Sequence, residues 1–157
     1  MRISENLSDR DERPHLLPEM HEHLKHCDAL SFWATIPYFR NQESETFCSV
    51  AAVTMVVNAA KSAWTRSDVV SPLSQSDILA LAQDEEWRKA VSSHTKTVTL
   101  SKLREVLITI FGKLGLDSID VKAVAAHDEP SNRDNFESSL RLLDPSCDQF
   151  IIANFAL

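Results

Sequence analysis

Asn41-Gln-Glu-Ser-Glu-Thr-Phe-Cys-Ser-Val-Ala-Ala-Val-Thr-Met-Val-Val-Asn-Ala-Ala60 is the stretch on which the reading of this chain turns. From Phe47 to Ala60 it is apolar on nearly every side, interrupted only by Cys48, Ser49, Thr54 and Asn58. A helix of that kind belongs at the centre of a fold, not on its surface. A lone thiol opens it, and the amide of Gln42 sits six residues upstream. Unpaired backbone N–H groups and the helix dipole favour an anion at such a position, and can bring a cysteine pKa from about 8.5 into roughly the 3.5–7.5 range. Cys48 is therefore the candidate nucleophile. Gln42 is the candidate oxyanion-hole donor, reaching with the Cys48 backbone N–H toward the oxygen that becomes negative when a carbonyl is attacked. Both residues also have plain readings. Free cysteine is among the most buried residue types, and Gln42 alone would be a surface amide.

Working outward, residues 1 to about 14 are polar and charged, and Leu16 to Leu30 reads as a short helix; together they make an N-terminal segment, residues 1–30. Phe32 to Gln42 reads as an extended approach bent by Pro37. On the other side, residues 63–74 read as a loop, and Ser76 to Gln83 as a helix capped by Ser74 or Ser76. Leu100, Leu103, Val106, Leu107 and Ile110 recur at helical spacing, which predicts a helix over Leu100 to Phe111 ended by Gly112 or Gly115. Ser118 to Ala125 alternates and is rich in β-formers, and Phe150 to Phe155 is a short apolar run; both read as strands, with a helix over Asn132 to Leu143 between them. Helices first and then the start of a sheet predict an α+β fold.

Composition narrows the function classes. With 157 residues, 43% hydrophobic and 25% charged, the chain is about one ordinary globular domain. A formal net charge of −7 argues against a general nucleic-acid surface, which needs clustered Lys and Arg. No apolar stretch has the length of a membrane span, and the start shows no signal-peptide core, so no membrane partner is expected. Cys27, Cys48 and Cys147 are odd in number and widely spaced, neither a disulfide framework nor a zinc signature. A reducing cytoplasm is the expected compartment. His21-Glu-His-Leu-Lys-His-Cys27 invites a metal reading, but Lys25 stands where His-Glu-x-x-His needs its second histidine. On a helix His23 and Cys27 share a face and His21 does not join them, so a solvated polar face is the simpler reading. The acidic run Asp84-Glu-Glu86 reads as a solvated helix end.

The segment Gln42 to Asn58, a Gln-x5-Cys followed by a small or apolar run ending in Met-Val-Val-Asn-Ala, resembles the signature of the phytochelatin synthase family. These are papain-like thiol enzymes that act as glutathione γ-glutamylcysteinyltransferases. Phe32 to Phe39, Thr97-Val-Thr-Leu-Ser-Lys-Leu103, Val121 to Asp128 and Gln149-Phe-Ile-Ile-Ala-Asn-Phe155 resemble further family segments in the same order. The resemblance implies the front half of a papain-like catalytic domain over residues 31–157. It implies that Cys48 attacks the glycyl amide of glutathione, releases glycine and holds a γ-glutamylcysteinyl thioester, which a second glutathione or water then takes. No covalently bound cofactor is implied. Cadmium or zinc would enter as thiolate complexes of the substrate, and a resident metal site is left open.

Two departures from the family pattern bear on function. Ser49 stands where the family has glycine, adding a side chain next to the nucleophile. The family's catalytic histidine and aspartate belong beyond the strand Phe150 to Phe155, and neither is present at its family position, so the 157 residues alone are expected to be inactive. His127 falls outside the catalytic position and His94 sits in a polar Ser-Ser-His-Thr loop, so a plain polar histidine is a simpler reading of each than a substitute base. A chain ending at Leu157 would leave the edge of that strand unpaired and part of the Val50, Val53 and Val57 surface open to water, so self-association through the sheet edge is expected. The alternative to an enzyme is a non-catalytic remnant or binding module of the same fold.

Overall fold

The computed structural model describes residues 30–65, 71–93, 98–124 and 149–153, together with Asp134 and Ser138. The helices fully described are α1 (Leu30–Thr35), α2 (Cys48–Thr65), α3 (Gln75–Ala82), α4 (Glu85–Val91) and α5 (Leu100–Lys113), with a 3-10 turn at Ile36–Tyr38. The α2 helix is the central element that its composition predicts. Val50, Val53 and Val57 are fully buried, Ala59 and Ala60 nearly so, and no residue from Ser49 to Ser62 is exposed. Its two buried polar side chains are satisfied. Thr54 donates its hydroxyl back to the Val50 carbonyl at 2.7 Å, and Asn58 bonds both the N–H and the carbonyl of Leu73, at 2.7 and 2.9 Å.

The helices α3, α4 and α5 each start at a side-chain cap. Ser74 and Asp77 form a reciprocal capping box at the head of α3: Asp77 N–H bonds Ser74 Oγ at 3.1 Å and Ser74 N–H bonds Asp77 Oδ2 at 2.8 Å. Gln83, left-handed at φ 52°, ends it. Asp84 caps α4 by accepting from the Trp87 N–H at 2.7 Å, and Glu85 and Glu86 at its head with Arg88 and Lys89 at its tail complement the helix dipole. Thr99 caps α5. Its end is a Schellman closure, with Leu116 N–H on the Phe111 carbonyl and Gly115 N–H on the Gly112 carbonyl, and Gly115 supplies the required φ of 70°. Leu116 folds back into the core at 2% exposure, next to Phe111.

The core lies among α2, α3, α4 and α5, built from Val50, Val53, Val57, Ile78, Trp87, Val91, Leu103, Val106, Ile110 and Phe111. An ion-pair hub braces α4 against α5. Lys102 Nζ lies 3.2 Å from Asp84, 2.9 Å from Glu86 and 2.9 Å from Glu105. The Glu105 carboxylate first, then Glu86 and Asp84, hold its ammonium charge well above the usual lysine range.

The α+β expectation is overturned: among the described residues there is no strand and no sheet. Residues 118–124 and 150–153, expected as strands, are irregular. Their alternation is real but has another cause. Ile119, Val121, Phe150 and Ile152 turn toward the helical core, while Val124 and Ile151 stay exposed. A period of two reports one buried face, and a strand also needs a partner for its backbone groups. Here the Val121 carbonyl accepts from Arg104 Nε on α5, at 2.8 Å. The papain-like fold class falls with the sheet, and so does the sheet edge expected to drive self-association. The Val50, Val53 and Val57 face expected to be open is fully covered.

Two smaller corrections concern helix content. Phe32 to Gln42 is helical as far as Tyr38, because Pro37 sits in the first turn of the 3-10 segment, where its missing N–H costs nothing. The α2 helix continues through Thr65, past the expected start of a loop at residue 63. Asp134 and Ser138 are helical, within the span expected as a helix. The expected N-terminal helix up to Ala29, the His21–Cys27 cluster, His94, His127, Cys147 and the ends of both expected strands lie outside the described residues.

Candidate functional site

Cys48 is the first residue of α2, and its thiol-bearing side chain is exposed. Phe47 stands just outside the helix, its carbonyl accepting the Ala51 N–H at 2.8 Å. The N–H groups of residues 48–50 are thus those of a first helical turn, without carbonyl partners within the helix. An open thiol at the head of a helix whose next fourteen residues are all sheltered is the arrangement that the spacing of polar and apolar residues predicts.

Gln42 sits in the loop before the helix, and its amide is engaged locally. Nε2 donates to the Glu45 carbonyl at 3.1 Å, closing a turn over residues 42–45. One of the two Nε2 hydrogens of the expected oxyanion donor is therefore used within its own loop. Gln42, Glu43, Ser44 and Glu45 line an open depression of about 530 Å³.

Three contacts that sequence reasoning missed fix this loop and the start of α2. Gln75, buried at 2% exposure, accepts the Glu43 N–H at 3.1 Å and donates to the Asn41 carbonyl at 2.9 Å. Thr46 donates its hydroxyl to the Val91 carbonyl at the end of α4. Trp87, fully buried in α4, donates its indole N–H to Ser49 Oγ at 3.2 Å. The signal for Gln75 was an amide at the first position of a capped helix, which reads equally well as a solvated residue. For α4 the signal was stronger. Asp84, two glutamates, a tryptophan and then Arg88-Lys89 is a cap followed by charges sorted to the dipole, but its first three residues alone suggested only a helix end.

Chemically, the site offers one exposed thiol, an amide six residues before it in sequence, and an acidic rim from Glu43 and Glu45. All six histidines of the chain lie outside the described residues. Among the described residues no group of three or more His, Cys, Asp or Glu side chains is placed to hold a metal ion, and no helix is long and apolar enough to cross a membrane. No family model matches the chain, nor does any curated protein or solved structure.

Proposed function

We propose that Cys48 is the nucleophile of a thiol acyl-transfer site of the phytochelatin synthase type, in a cytoplasmic protein that acts on glutathione. The observation that carries this reading is the exposed thiol at the first position of an otherwise sheltered helix. In the reaction the Cys48 sulfur forms a bond to the cysteinyl carbonyl carbon of glutathione, the bond from that carbon to the glycine nitrogen breaks, and glycine departs as the amine, taking the proton that the thiol gave up. The γ-glutamylcysteinyl group, held as a thioester, then passes to the amino group of a second glutathione or to water. Cadmium or zinc enters as a substrate thiolate complex. Gln42 would serve the developing oxyanion with the Nε2 hydrogen that its bond to the Glu45 carbonyl leaves over.

That engaged amide favours a second reading, in which the loop is a binding surface and Cys48 does no chemistry. Intact-mass analysis after incubation with glutathione and zinc or cadmium separates the two. The acyl-transfer reading expects a γ-glutamylcysteinyl adduct that is absent from Cys48→Ala. Repeated turnover would show that these residues hold a general base of their own, and product that stops near one equivalent would show that acylation outruns deacylation. A chain that stays unmodified through prolonged incubation leaves only the binding reading. Rapid turnover would point to His94 or His127 as the base.

A further inference from the structure

Cys48 is flanked by two residues that are both tied to α4, a helix the nucleophile reading does not by itself require. Thr46, two residues before the thiol, bonds the Val91 carbonyl, and Ser49, directly after it, accepts the Trp87 indole N–H at 3.2 Å. We propose that α4 positions the turn that carries Cys48, with Trp87 as a positioning residue acting through the hydroxyl of Ser49.

The chemistry of the pair supports this assignment over simple core filling. A buried phenyl ring would fill the Trp87 site without asking for an acceptor, whereas a buried indole N–H left unbonded is costly. In this chain the acceptor is the side chain of the residue adjoining the thiol. Glycine at position 49, which the family resemblance leads one to expect, has no oxygen to offer, so the serine changes how the turn is held. The partner is itself braced: Asp84 caps Trp87, and Lys102 joins Asp84 and Glu86 to α5. The bond therefore references the first turn of α2 to a helix that is ion-paired to α5. With Thr46 fixing the entry to the turn, the direction of the first-turn N–H groups relative to the sulfur is set from both sides.

The proposal rests on Cys48 being a reactive thiol, and alkylation kinetics separate the two ideas. The rate of iodoacetamide labelling at Cys48, followed by peptide mass mapping at neutral pH, is compared across variants. Trp87→Phe and Ser49→Ala should each slow labelling by about two- to tenfold, the range of one lost hydrogen bond. The double variant should be no slower than the slower single one, because both remove the same bond. Ser49→Thr keeps the hydroxyl and should keep the wild-type rate. Unchanged rates in both single variants, additive losses in the double variant, or a loss in Ser49→Thr equal to that in Ser49→Ala would overturn the proposal. Should Trp87→Phe fail to fold, the Ser49→Ala and Ser49→Thr pair decides. Wild-type Cys48 labelled no faster than in the urea-unfolded chain would instead remove the nucleophile reading, whatever the variants do.

Discussion

Asn58 lies on the buried side of α2, where a side-chain amide is tolerated only if its polar atoms find partners. It finds them on one residue: the N–H and carbonyl of Leu73 both bond the Asn58 amide, at 2.7 and 2.9 Å, which fixes the chain just before the Ser74 cap. Asn58→Ala removes both bonds and leaves two partly sheltered backbone groups without them. The expected loss is about 2 kcal/mol of unfolding free energy, lessened by the few tenths that alanine gains as a helix former. Urea denaturation measures it, and a change below about 0.5 kcal/mol would show that water replaces the amide at Leu73. Gln75 does similar work on residues 41 and 43. Neither role could be read from the sequence, because the partners are backbone groups whose positions depend on the fold.

Helix termini carry the titratable part of the stability. Asp84 is held below the usual carboxylate range by the Trp87 backbone N–H, and further by Lys102; Asp77 is held below it by the Ser74 hydroxyl and N–H. A carboxyl whose pKa is lower in the folded chain stabilises it above the unfolded value and loses that contribution as pH falls through the folded value. The stability gap between wild type and Asp84→Asn should therefore be present at pH 7 and close between roughly pH 5 and 2. At pH 7 that gap should be below about 1 kcal/mol, since asparagine also caps well. Urea midpoints at stepped pH values test both statements, and a gap constant with pH would mean that Asp84 does not titrate against α4. Capping and periodicity made α2, α3 and α5 legible in the sequence to within a few residues. They gave no protection against misreading Ile119, Val121, Phe150 and Ile152, whose alternation records a buried face and says nothing of what lies beside it.

For the whole molecule, the covered valine face of α2 replaces the expectation of an open core with a helical one that excludes solvent from Trp87 but not from the other tryptophans. Trp33 and Trp64 are 49% and 58% exposed, Trp87 fully buried. Acrylamide quenching of the folded chain should resolve an accessible component and a protected, blue-shifted one, and Trp87→Phe should abolish the protected one. Uniform quenching of all three would contradict the packing of α4 against α2. The candidate site was legible in one respect. The position of Cys48 at the head of a central helix followed from where the apolar run begins, whereas the engagement of Gln42 with Glu45 did not, because a loop amide has many partners within reach and sequence does not rank them.

The loop from Asn41 to Glu45 is exposed throughout, and it joins the rest of the fold through the Gln75 amide and a long bond from the Ser76 hydroxyl to Glu43, with the Thr46 hydroxyl completing the tether at its end. These bonds span 32 to 45 residues of chain and bring almost no apolar area with them. Segments held in this way open by local fluctuation at a free energy well below that of global unfolding. On warming, the loop that carries Gln42 should thus come loose while α2 to α5, with Cys48, are still folded, so that the working lifetime of the site is shorter than that of the protein that carries it.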